Sequence, residues 1–96
     1  MNKSFTKRHT DLRTEALAAI NTYNGPKART LPTGEKAIDM DDSWLVIGNG
    51  NPFLRNKRDQ RLHEAGKEPC WEDQPIAESW SCGEICRLAD NLAKEN

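Results

Sequence analysis

The chain has 96 residues, a formal net charge of −1, 35% hydrophobic and 30% charged residues. That length suits one domain spanning residues 1–96 and excludes a second sizeable core. The hydrophobic share lies below the roughly 45–50% of typical globular chains, which implies a thin core and a stability of only about 5 kcal/mol.

The longest apolar run, Trp44-Leu45-Val46-Ile47, is far short of the roughly 18 residues that a membrane-spanning helix needs. The basic N-terminal stretch from Met1 to Arg8 is followed by no apolar segment, so no signal peptide is expected. The expected setting is the cytoplasm, with no membrane partner. Three cysteines, an odd number, argue against a secreted disulfide framework.

In chain order, the first predicted element is a helix from about Thr10 to Tyr23. Leu12, Ala16, Leu17, Ile20 and Tyr23 recur at three- and four-residue steps and so share a face. Asn24-Gly25-Pro26 stops it, with Gly25 expected to take a left-handed terminal conformation and Pro26 to bar continuation. Three short strands follow. Ala28 to Leu31 is the first, Pro32-Thr33-Gly34-Glu35 is a turn, and Lys36 to Met40 alternates as the second strand. Asp41-Asp42-Ser43 is the next turn, and Trp44 to Ile47 reads as the central strand. Gly48-Asn49-Gly50 signals a loop, and Asn51-Pro52 a helix start, giving a second helix over residues 52–65. A proline-containing loop from Lys67 to Pro75 leads to a C-terminal helix from Glu78 to Ala93, with the stripe Ile85, Leu88, Ala89 and Leu92. The expected class is α+β, a small antiparallel three-stranded sheet with helices packed on one face, in the order α-β-β-β-α-α.

The charge is polarised. Residues 1–61 carry 11 Lys/Arg against 7 Asp/Glu, and residues 62–96 carry 3 against 8. Ends of opposite charge attract each other within the fold, or steer separate partners, a second copy included.

His63, Cys70, Cys82 and Cys86 have the ligand types of a structural zinc site. The paired knuckles of strong zinc motifs are missing, and Cys82 and Cys86 at four-residue spacing also suit a buried helix face. Core packing is the favoured account, and no cofactor is expected. Cys82 with His63 is the best nucleophile–base pair available, but no catalytic signature surrounds either residue. Asp39, Asp41 and Asp42 cluster at a turn without the spacing of a calcium loop. Gly48-Asn49-Gly50 lacks the further residues of a nucleotide loop. The chain therefore reads as non-enzymatic.

Two features remain for binding. Arg55, Lys57, Arg58 and Arg61 would form a basic stripe along the second predicted helix, against a bland reading as a solvated face. Trp71 and Trp80 flank an acidic loop containing Glu72 and Asp73, and tryptophan is enriched where interfaces concentrate their energy. The expected function is a small binding protein that occludes a site on a protein or a protein–nucleic-acid complex. In its small size, lean core and idiosyncratic sequence it is similar to accessory proteins of bacteriophages and mobile elements, including anti-CRISPR inhibitors. That likeness is one of type, carried by no motif. The alternatives are a nucleic-acid-binding regulator using the residue 55–61 helix and a small zinc-stabilised module.

Overall fold

The computed structural model describes residues 9–68 and 73–95. In chain order its elements are α1 (His9–Asn21), β1 (Ala28–Thr30), β2 (Lys36–Asp39), β3 (Ser43–Ile47), β4 (Phe53–Asn56), α2 (Lys57–Glu64), β5 (Gln74–Pro75), α3 (Ile76–Ser79) and α4 (Cys82–Ala93). The class is α+β, as expected, but the sheet has five strands rather than three, ordered β1-β2-β3-β4-β5. Every neighbouring pair is antiparallel.

The β1–β2 turn closes with the Leu31 N–H donating to the Glu35 carbonyl and the Gly34 N–H to the Leu31 carbonyl, both at 2.8 Å. Gly34 sits at φ 91°, which a side chain would resist. The β2–β3 turn instead places Asp41 at φ 69°. An aspartate visits this region more readily than most non-glycine residues. Here the Asp41 N–H donates to Asp39 Oδ1 at 3.1 Å.

Alternation along the strands divides the core in two. Ile38, Leu45 and Ile47 face α1 and α4, where they meet Ala16, Ile20, Tyr23, Ile85, Ala89 and Leu92. Ala37 and Val46 point to the opposite face and pack with Leu31, Trp44 and Phe53. Burying each large aliphatic side chain in the first layer contributes about 1.5–3 kcal/mol, which makes that layer the main source of stability.

Four details differ from the sequence expectation. Helix α1 ends at Asn21, and Gly25 is absent from the positive-φ glycines. Its role is steric, because a Cβ there would collide with the phenol ring of Tyr23. Tyr23 is buried, accepts a hydrogen bond from the Lys27 N–H at 3.1 Å and donates to Glu95 at 3.3 Å.

The second difference is β4. Asn51-Pro52 is a helix-start signal, yet residues 53–56 are extended, with Phe53 opposite Val46 and Leu54 opposite Leu45. Cross-strand apolar pairing outweighs the local signal. The helix begins after Asn56, whose Oδ1 accepts from the Arg58 N–H at 2.7 Å. Third, the C-terminal helix starts at Cys82 rather than Glu78. Ser81 Oγ accepts from the Glu84 N–H, and Glu84 Oε1 accepts from the Ser81 N–H, forming a capping box. Residues 76–79 form the separate turn α3. Fourth, the helices do not all share one sheet face. α1 and α4 pack together on the first core layer, whereas α2 buries Gln60 against Arg55 on the other side.

Candidate binding surface

The sheet face opposite α1 and α4 is organised around Arg55. Its neighbours on β4 and β3 turn Phe53, Trp44 and Val46 to the same side. Arg55 is only 7% exposed. Its Nη1 donates to Glu35 Oε1 at 2.7 Å and to Gln60 Oε1 at 3.1 Å, and its Nε donates to Asp73 Oδ1 at 3.2 Å. The guanidinium lies 5.1 Å from the Phe53 ring centroid. Burial works to lower the Arg55 pKa, but hydrogen bonds and charge from Asp73 and Glu35 outweigh it and raise the pKa. Burial likewise works to raise Glu35, which Arg55 and Thr33 hold below its ordinary carboxylate value.

Arg55 is thus structural. It cannot belong to an exposed basic stripe, because its strand turns it into the sheet face and its charge is matched. The expected seven-residue cluster loses that member. Lys57, Arg58 and Arg61 remain together, lining one groove of about 420 Å³ with Asn56, Asp41 and Asp42. Lys57 is half tied down. Its Nζ pairs with Asp39 and lies 4.6 Å from the Trp44 ring centroid. That hydrogen bond, reinforced by the Asp41 N–H, holds the Asp39 carboxyl below its ordinary range. Arg58 and Arg61 are exposed on α2 and make no ion pair among the described residues.

The aromatic and acidic candidates separate. Trp80 is half-buried and packs against the first core layer, so it closes the fold. Asp73 is bound to Arg55. Trp71, Glu72 and Cys70 lie outside the described residues. The proposed ligand set His63, Cys82 and Cys86 does not converge. His63 is in α2, while Cys82 and Cys86 are in α4, which packs on α1 across the sheet. No group of three or more metal-ligating side chains occurs among the described residues. Partial burial and the adjacent Cys82 sulfur push the Cys86 thiol up. That is the opposite of an activated thiolate.

Trp44 and Gln60 also belong to this surface, although neither stands out in the sequence as a binding candidate. The alternation of Trp44 with Leu45 was a signal for Trp44, since a strand sends adjacent residues to opposite faces. Nothing local marks Gln60. Comparison with protein-family models, curated proteins and solved structures gives no match. No helix among the described residues is long and apolar enough to cross a membrane.

Proposed function

We propose that this is a small non-enzymatic binding protein that occludes a site on a protein partner, in the manner of phage and mobile-element inhibitors. The contact surface is the groove of Lys57, Arg58 and Arg61 beside Trp44. One observation carries the reading: Arg58 and Arg61 are exposed on one short helix facing the Asp41-Asp42 turn, so both signs of charge rim a single recess. A partner with carboxylates against the arginines and a cation against the aspartates fits such a rim, and paired charges of this kind give orientation and specificity.

The nucleic-acid alternative is less well supported, because Asp41 and Asp42 would repel the phosphates that Arg58 and Arg61 attract. The zinc module loses support from the separation of His63 from the α4 cysteines. The test is affinity capture from the source cell with wild-type protein and with Arg58→Glu/Arg61→Glu. The partner should be lost with the double reversal and retained by Glu78→Ala. Equal recovery with the reversal would overturn the reading. A gel shift of random duplex or single strands that collapses with added salt would transfer it to nucleic acid.

A further inference from the structure

We propose that Cys82 and Cys86 form a bidentate dithiol site for a soft, thiophilic acceptor that bonds both sulfurs through one atom, such as a trivalent arsenic centre bearing an apolar group. The two residues stand one turn apart on α4, both half-buried, with sulfurs 3.9 Å apart. Residues four apart on a helix are neighbours on its surface.

Two bonds could join such sulfurs, and geometry separates them. A disulfide needs Cβ atoms about 3.5–4.5 Å apart, whereas an intact helix holds such a pair about 5–6 Å apart. Direct oxidation therefore requires the first turn of α4, fixed by the Ser81–Glu84 capping box, to unwind. A one-atom bridge does not. With sulfur–acceptor bonds of about 2.3 Å, as in zinc thiolates, a 3.9 Å separation subtends roughly 115°. A pyramidal trivalent centre takes a narrower angle, which side-chain rotation on the intact helix reaches by drawing the two sulfurs slightly together. Soft thiolate donors select soft acceptors.

A second observation concerns what lies beside the sulfurs. Cys86 borders a groove of about 400 Å³ between α1 and α4, whose apolar wall includes Leu12, Ala16, Ala19 and Ala89. Cys86 Sγ is 4.0 Å from the Leu12 carbonyl, so the dithiol sits at the groove's edge. Leu12 is the exposed large hydrophobic residue of the described chain, at 40% exposure. An apolar substituent on the bridging atom would lie in this groove and cover it.

With phenylarsine oxide as probe, two S–H bonds and the arsenic–oxygen bond break. Two arsenic–sulfur bonds form, and the oxygen leaves with both protons as water. Arsenic stays trivalent and no oxidant is required.

The experiment measures phenylarsine oxide binding to the whole chain by intact mass and by competition with a small dithiol. One adduct per chain is expected. Cys82→Ser and Cys86→Ser should each weaken it at least tenfold, and Cys70→Ser should leave it unchanged. Ala19→Leu should weaken the phenyl compound but not inorganic arsenite. Wild-type protein in denaturant should also bind at least tenfold more weakly, because the helix no longer holds the sulfurs together. Tight binding that survives either α4 substitution, or that is equal in denaturant, or that Cys70→Ser alone abolishes, would overturn the proposal.

Discussion

Arg55 and Asp73 meet as a fork. Arg55 Nε donates to Asp73 Oδ1 at 3.2 Å, and Nη2 lies 3.4 Å from Oδ2. The pair joins β4 to the residue directly before β5. Because Arg55 also reaches Glu35 in the β1–β2 turn and Gln60 in α2, one side chain ties the β4–α2 segment to the β1–β2 turn and to the residue before β5. Arg55→Ala should therefore destabilise the protein by about 2 kcal/mol, between a screened surface pair and a fully buried one, since Glu35 and Asp73 stay partly solvated. Arg55→Lys should recover little, because an ammonium cannot reproduce the fork. Urea unfolding measures both. A loss below about 0.5 kcal/mol for Arg55→Ala, the level of an ordinary surface change, would contradict this role.

Acid should weaken the fold through Glu35 and Asp39. Both have folded-state pKa values below their ordinary ones. A depressed carboxyl contributes stability that is present above its unfolded pKa of about 4 and is lost as pH falls through the folded value. The urea midpoint should thus hold from pH 7 to about 5 and then fall. Asp39→Asn and Glu35→Gln should each flatten that fall modestly, by less than about 1 kcal/mol, since both carboxyls are partly solvated. Midpoint curves parallel to wild type across pH 3–5 would show that these pairs contribute nothing.

The alkaline limb has the opposite sign. Lys27 is raised, chiefly by its hydrogen bond to Glu95, 2.9 Å away. Its contribution is complete below the ordinary lysine pKa of about 10.4 and disappears as pH rises through the folded value. Because the pair is exposed, Lys27→Met should change stability little at pH 7 and remove only a small part of any decline above pH 10.

Ser81→Ala should cost about 1 kcal/mol by removing the cap of α4. For a domain of this length that lowers Tm by roughly 4–8 °C. Glu84→Gln should retain most of the stability, because a glutamine also completes the box. A thermal melt of both variants checks the pair, and an unchanged Tm for Ser81→Ala would mean that the cap bonds do not persist in solution.

Gly25→Ala should be worse than an ordinary loop substitution, by about 1–3 kcal/mol, the range for overpacking a filled site. The added methyl would strike the buried Tyr23 ring. Tyr23→Leu in the same chain should relieve much of that cost. An additive double mutant would show that the two residues do not touch.

Much of the architecture was legible locally. The strands around Trp44–Ile47, the Gly34 turn and the apolar stripe of Ile85, Ala89 and Leu92 follow from period, β-branching and turn chemistry. The Phe53–Asn56 segment was not, because Asn51-Pro52 and Asn56 are both acceptable helix starts and only pairing with β3 selects the second. Strand β5 has two residues, Gln74 and Pro75, too few to carry a periodic signal. For the site, Lys57, Arg58 and Arg61 were visible as a basic run, but their groove with Asp41 and Asp42 joins residues from two elements.

What the amino-acid order determined alone is the class of fold and the inventory of charge: where chain direction alternates, where it coils and which segments are basic. Only the tertiary structure decided which charges remain outward. Arg55 and Lys57 are two positions apart, yet one is enclosed by Glu35, Gln60 and Asp73 and the other reaches a groove. The difference arises because burial and ion pairing depend on residues about 18–20 positions away, and no local propensity contains that information.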